Sequence, residues 1–194
     1  MTRLAVVSAG LRAPSSTRLL ADRLAEATRV RLPVDLHVIE LRELATDIAN
    51  NLVTGFPNAR LRAALDAVAG ADGVIAVTPI FTASYSGLFK SFFDVLDGTA
   101  LRGKPVLIAA TGGSARHSLA LEHAVRPLFA YLRAVVVPTA VYAATEDFAS
   151  GELAARVERA AGELAALLGA RVVDGPGEEV VPFEQQLAAL RRAS

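Results

Sequence analysis

Five short apolar runs, Leu4 to Val7, Val34 to Ile39, Gly73 to Val77, Val106 to Ala110 and Val135 to Val137, alternate along the 194-residue chain with stretches of helical periodicity. Runs this short and this rich in β-branched residues suit parallel strands covered on both faces. Between them lie the stripes Leu20, Leu24 and Ala27; Leu61, Leu65 and Val68; Leu88, Phe92 and Leu96; and Leu121, Val125, Leu128 and Leu132. A last stripe, Leu153, Val157, Leu164 and Leu168, follows the fifth run. Strands that alternate with helices join by right-handed crossovers. The pattern therefore predicts an α/β fold, a doubly wound five-stranded parallel sheet with helices on both faces. Ligands of such sheets bind beyond the carboxyl ends of the strands, where the strand order reverses.

Composition narrows the possibilities. With 53% hydrophobic residues and no linker-like stretch, the chain is long enough for one well-buried domain, expected over residues 1–170, with 171–194 as a C-terminal extension of it. Twenty basic and twenty acidic residues balance, and the basic ones are scattered, which argues against nucleic acid. The apolar runs are too short for a membrane span and the N-terminus lacks a signal-peptide pattern, so a cytoplasmic protein is expected. There is no cysteine, hence no disulfide or thiol redox centre, and the three histidines lack metal-ligand spacing. Redox chemistry would need an organic cofactor.

The first run leads directly into Ser8-Ala9-Gly10-Leu11-Arg12-Ala13-Pro14-Ser15-Ser16-Thr17-Arg18 and then a helix. The unpaired N–H groups and positive dipole end of that helix favour an anion. Ser8, Ser15, Ser16 and Thr17 add hydroxyl donors, and Arg12 or Arg18 a charged fork. Ser15 or Ser16 equally suits an ordinary N-cap. Neither G-x-x-x-x-G-K-[ST] nor G-x-G-x-x-G is present, which removes support for ATP hydrolysis and for a Rossmann dinucleotide site. Hydroxyls in place of repeated glycines match one terminal monophosphate, as in a mononucleotide such as FMN.

Two more loops follow strands. Thr78-Pro79-Ile80-Phe81-Thr82-Ala83-Ser84-Tyr85-Ser86-Gly87 offers a fixed backbone direction, two aromatic rings and several hydroxyls, a setting for a flat ring. Thr111-Gly112-Gly113-Ser114-Ala115-Arg116-His117 carries paired glycines, suited to close backbone approach or to positive φ. Against these stand a plain tight turn at Gly112-Gly113, and Phe81 and Tyr85 as caps on the core.

The second loop and its continuation Leu88-Phe89-Lys90-Ser91-Phe92-Phe93-Asp94 resemble the T-P-x-aromatic…S-x-x-G-x-x-K-x-x-x-D signature of NAD(P)H-dependent FMN reductases with a flavodoxin-like fold. Thr111-Gly112-Gly113-Ser114 with His117, Leu121 and Arg126-Pro127-Leu128 is similar to the branch that supplies reduced flavin to sulfonate monooxygenases. A related actinobacterial branch accompanies luciferase-like monooxygenases. The resemblance spans residues 1–170. It implies flavin-phosphate binding by Ser8, Arg12 or Arg18, Ser15, Ser16 and Thr17. The isoalloxazine-facing role falls on Pro79, Ile80, Phe81, Thr82, Ala83, Ser84 and Tyr85, and on Thr111, Gly112, Gly113 and Ser114, with His117 beside them. Ser91 and Phe81 stand where many members have asparagine and tyrosine, and the phosphate loop lacks their asparagine. Phe81 keeps a stacking face and loses a hydroxyl.

The implied chemistry is hydride transfer from nicotinamide C4 to flavin N5, with NADPH or NADH as donor and a monooxygenase partner as recipient of reduced FMN. Such a site stacks two rings with the reacting atoms about 3–3.5 Å apart and needs no acid or base. His117 suits a proton donor, a phosphate ligand or packing, and Arg116 the extra phosphate of NADPH. Leu88, Phe89, Phe92, Phe93, Val95 and Leu96 cover more than one helix face, which predicts a homodimer or homotetramer, as in relatives. Pro127 predicts a kink, and Asp47 to Pro57 reads as a loop reaching towards a partner's site. Glu178 to Leu190 suits a strand and short helix packing on a neighbour, or a disordered end. Direct reduction of quinones, azo compounds or metal ions is the alternative activity. A flavodoxin-like electron carrier is the non-enzymatic one, for which the usual acidic surface is missing.

Overall fold

The computed structural model describes residues 1–170; the expectations placed on the tail lie outside them. The strands are β1 (Thr2–Ser8), β2 (Val34–Glu40), β3 (Gly73–Phe81), β4 (Ser84–Tyr85), β5 (Pro105–Gly112), β6 (Val135–Val136) and β7 (Val141–Ala144). The helices are α1 (Ser16–Arg31), α2 (Ala45–Thr54), α3 (Ala59–Ala69), α4 (Gly87–Val95), α5 (Arg126–Tyr131) and α6 (Gly151–Ala170). Five parallel strands run in the order β2-β1-β3-β5-β6, the flavodoxin-like pattern in which order reverses beside β1.

Alternation along each strand sorts the core onto two faces. Leu4 and Val6 of β1 pack with Leu20 and Leu24 of α1 and with Leu153, Val157 and Leu164 of α6. Ala5 and Val7 face the other way, towards Leu61 and Val68 of α3, Phe89 and Phe92 of α4, and Phe129 of α5. Both faces of the sheet are thereby covered, which is why its strands read as nearly continuous apolar runs.

The fifth strand is longer than its sequence run and broken. Val135 N and Val137 N each donate at 2.9 Å to the β5 side, to Lys104 O and Val106 O. Pro138 then has no N–H for the ladder. The chain detours through Thr139, whose N and Oγ1 both donate at 2.7 Å to the Glu163 carboxylate, and pairing with β5 resumes from Val141 to Ala144. Ending this strand at Val137 missed its second half.

Two further expectations are corrected. Asp47 to Thr54 is not loop but part of α2, an amphipathic helix that buries Ile48 and ends at left-handed Gly55, whose N–H bonds Asn51 O at 2.8 Å. Of that segment only Gly55-Phe56-Pro57 is connection, completed by Asn58, the N-cap of α3. At Pro127 the helix widens locally: Leu121–Val125 is π-helical, with Arg126 N bonded to Leu121 O. The extra residue relieves the clash between the Pro127 ring and the preceding carbonyls. Finally, the apolar excess of α4 is buried by the chain's own core. Phe89, Phe92 and Phe93 are shielded from solvent, and Phe93 meets Phe89 and Phe129 edge-on at centroid distances of 4.9 and 5.0 Å. That surplus therefore gives no reason to add a second subunit.

Candidate functional site

A cleft of about 580 Å³ opens beyond the carboxyl ends of β1, β3 and β5, at the reversal of strand order. Leu11, Arg12, Pro14, Ser15, Ser16 and Thr17 line one end. Pro79, Ile80 and Phe81 form one wall, and Thr111, Gly112, Gly113 and Thr145 the other.

At the first end, Ser15 is the N-cap of α1. Its Oγ accepts from Arg18 N at 3.2 Å, and the first helical bond runs from Leu19 N to Ser15 O. The N–H groups of Ser16 and Thr17 precede that bond and point off the helix end. No acidic residue occupies the first turn, so the dipole there is uncompensated. Gly10 lets the loop fold tightly: a Cβ there would lie 2.0 Å from Ser15 Oγ. Of the two arginines, Arg12 borders the cleft, whereas Arg18 donates from Nε to Asp22 at 2.8 Å and pairs with Glu40. Those bonds, with Asp22 foremost, hold the Arg18 guanidinium above its ordinary pKa. Arg18 is thus committed to the scaffold. Ser8 shares the α1 side of β1 with Leu4 and Val6; it is 1% exposed, and its Oγ is buried without a hydrogen-bond partner.

The second segment is more strand than loop. β3 continues through Pro79 to Phe81 and turns back as a two-residue hairpin, pairing Ile80 with Tyr85 and Phe81 with Ser84. Thr82 and Ala83 at its tip have φ of 49° and 68°. Two hydroxyls that looked available serve the backbone: Thr78 Oγ1 accepts from Ser86 N at 3.1 Å, and Ser86 Oγ caps α4 by accepting from Phe89 N at 3.1 Å. Phe81 is 47% exposed at the cleft. Tyr85 turns instead towards Phe89, with ring centroids 6.0 Å apart. Thr82, Ala83, Ser84 and Tyr85 are not among the lining residues.

In the third segment, Thr111 Oγ1 lies 2.8 Å from Thr17 Oγ1, both buried. This bridge joins the α1 end of the cleft to the β5 end. Two hydroxyls carry two protons and their mutual bond uses one, so the other is available to the cleft that both residues line. Ser114 turns its carbonyl to Tyr142, whose hydroxyl donates to it at 2.7 Å. Burial first, then the nearby Asp147 charge, raises the Tyr142 pKa above its ordinary 10.0. Arg116 and His117 lie on an exposed 3-10 turn, Ala115–His117, and neither lines the cleft.

Leu11, Pro14 and Thr145 line the cleft without having been singled out in the sequence. Thr145 directly follows β7, so a fifth strand carried to Ala144 would have pointed to it. Among the described residues no group of three or more His, Cys, Asp or Glu is placed to hold a metal. The donor set suits a phosphorylated planar ligand. Helix N–H groups, hydroxyls and Arg12 gather at one end, and a proline, an isoleucine and an aromatic face line the middle; Ser8, at the end of β1 with its Oγ buried and unsatisfied, and Ser114 are not among the lining residues.

Known proteins share this arrangement of elements. A family model described as NADPH-dependent FMN reductase matches residues 2–149. An FMN reductase (NADPH) of Pseudomonas aeruginosa is 40% identical over 174 residues, which cover 87% of this chain and 94% of that protein. The NADH-dependent FMN reductase SfnF of Pseudomonas putida is 43% identical over 147 residues, 75% of this chain and 79% of its own length. The X-ray structure of an oxidoreductase from Corynebacterium diphtheriae superposes with a TM-score of 0.85 at 49% identity, covering 88% of this chain and 98% of that one.

Proposed function

The chain belongs to the NADPH-dependent FMN reductase family, and from that membership we propose that it binds FMN in the cleft beyond β1, β3 and β5 and reduces it with NADPH or NADH. The observation that carries the site is the meeting of an uncompensated helix N-terminus with two strand ends around one cavity of about 580 Å³. Arg12, Ser15, Ser16, Thr17 and the α1 N–H groups hold the phosphate, with Ser8 beneath them. Pro79, Ile80 and Phe81 face one side of the ring system, and Thr111, Gly112 and Gly113 the other.

When bound, FMN supplies a two-electron acceptor for the nicotinamide hydride. Among the described residues, none that lines the cleft is a carboxylate or an imidazole, so their contribution is position rather than proton transfer. Its gain comes from holding two rings in register while apolar walls limit water between them. Leu11, Arg12 and Phe81 are exposed at the rim, an opening through which reduced flavin leaves. The recipient is a monooxygenase of a two-component system, a reading supported by the resemblance carried by Thr111 to Ser114, His117 and Pro127.

We further propose a homodimer or homotetramer, now on a surface other than α4: Val53 and Phe56, at the end of α2, are 87% and 79% exposed. Light scattering at micromolar concentration should give at least twice the monomer mass, and a monomer would remove the proposal. The phosphate assignment is tested by comparing FMN with riboflavin. FMN should bind more tightly, and Arg12→Ala should narrow the gap by roughly tenfold, the scale of one charge-assisted hydrogen bond. Equal binding of the two flavins by the unaltered protein would take the phosphate out of this loop.

A further inference from the structure

The two glycines at the carboxyl end of β5, Gly112 within it and Gly113 just beyond, are glycines for different reasons, and the difference singles out Tyr142. A Cβ at Gly113 would meet nothing within 4 Å, whereas one at Gly112 would lie 2.0 Å from Tyr142 Oη and 3.1 Å from its Cζ. Neither has positive φ; among the described residues Gly55 and Gly103 are the glycines that do. What Gly112 supplies is therefore space, and a phenol of the same chain fills it. Tyr142 stands on β7 opposite Ala110 of β5, is 4% exposed, and donates its hydroxyl to Ser114 O at 2.7 Å. One side chain thus meets the loop twice, by contact under Gly112 and by a hydrogen bond beyond Gly113. Since β7 is itself paired along β5, the strut and the loop share one rigid sheet edge.

We propose that Tyr142 is a positioning residue for this segment: it fixes the path of Thr111, Gly112 and Gly113 along the cleft, and Gly112 is required by Tyr142 rather than by the ligand. Its ligand readout rests on the cleft's reading as an FMN site; its loop readout does not. Phenylalanine keeps the ring and removes the donor, and it also removes the atom nearest the Gly112 Cβ position. Gly112→Ala and Tyr142→Phe are therefore coupled, each changing what the other costs.

Hydrogen exchange on the flavin-free protein tests the strut alone. Tyr142→Phe should speed exchange of the amides of residues 112–117 by roughly two- to tenfold, the worth of one hydrogen bond, with β1 unchanged. Flavin titration tests its use. Tyr142→Phe should weaken FMN binding by a similar factor, raising KM for FMN while kcat at saturating FMN stays the same. Gly112→Ala should weaken it more, and the double variant should bind FMN more tightly than Gly112→Ala alone, a rescue that general loss of stability would not produce. Unchanged exchange at 112–117, or a double variant no better than Gly112→Ala, would overturn the proposal. If the unaltered protein bound no FMN, the cofactor reading would fall, and the exchange experiment would still decide the strut.

Discussion

Thr17 and Thr111 lie 94 positions apart in the chain and 2.8 Å apart in the fold. The bridge ties two segments of the cleft and leaves one hydroxyl proton for a ligand, so its structural and binding roles separate under substitution. Thr17→Val or Thr111→Val alone leaves a buried hydroxyl without its partner and should cost about 1–2 kcal/mol of stability. The double variant replaces both groups with apolar isosteres and should cost less than the sum. Its FMN affinity should nevertheless remain low, because no proton is left to give. Chemical denaturation alongside flavin titration checks both, and additive losses in stability would deny the bridge. At this scale the sequence exposed the residue types but not their assignments. Ser8, Ser15 and Thr17 were visible as hydroxyls beside a helix start, yet Ser15 Oγ also accepts from Arg18 N as the N-cap, keeping only its proton for a ligand, and Arg18 is committed to Asp22 and Glu40. Such commitments depend on partners on other elements or one turn away, and spacing alone does not rank them. Tyr142 was invisible for a related reason: its contact with Gly112 crosses between strands whose pairing no local pattern reveals.

Among the elements, the hairpin β3–β4 was read as loop because its turn residues break the usual rule. A two-residue turn with both central φ values positive favours Asn-Gly, and here Thr82 and Ala83 occupy it at 49° and 68°. Left-handed backbone costs non-glycine residues roughly 1–2 kcal/mol each. Thr82→Asn with Ala83→Gly should therefore raise stability by about 1–2 kcal/mol in thermal or denaturant unfolding, with Phe81 unmoved. A loss of stability would mean that the turn is held by its side chains and not despite them. Lys104 illustrates a different gap. Only 5% exposed, it donates from Nζ at 2.7 Å to both Val68 O and Ala69 O, neutralising the carbonyl end of α3. A lysine just before a strand carries no sign of that role. Helices with a clear apolar stripe, α1, α3 and α6, were legible in the sequence. Besides the β3–β4 hairpin, the segments that escaped were α2, the π-helical turn before Pro127 and the second half of the split edge strand, each shaped by tertiary packing or by a proline.

For the molecule as a whole, alternation of apolar runs with helical stripes was enough to specify the doubly wound sheet, because burial on both faces leaves that imprint in composition. It was enough as well to place the three loops on one edge, since every parallel strand presents its carboxyl end to the same side. The reversal of order beside β1 then makes that edge a cleft. What the fold leaves open, chemistry must answer, because a flavodoxin-like frame also serves proteins that carry single electrons without a nicotinamide. The measurement that bears most directly on the account is anaerobic mixing of the protein with FMN and either NADPH or NADH, followed by the visible absorbance of the flavin. Rapid loss of that absorbance, dependent on protein and on nicotinamide, is the predicted result. Bound flavin that stays oxidised in the presence of both nicotinamides would contradict a reductase and leave the cleft as that of an electron carrier.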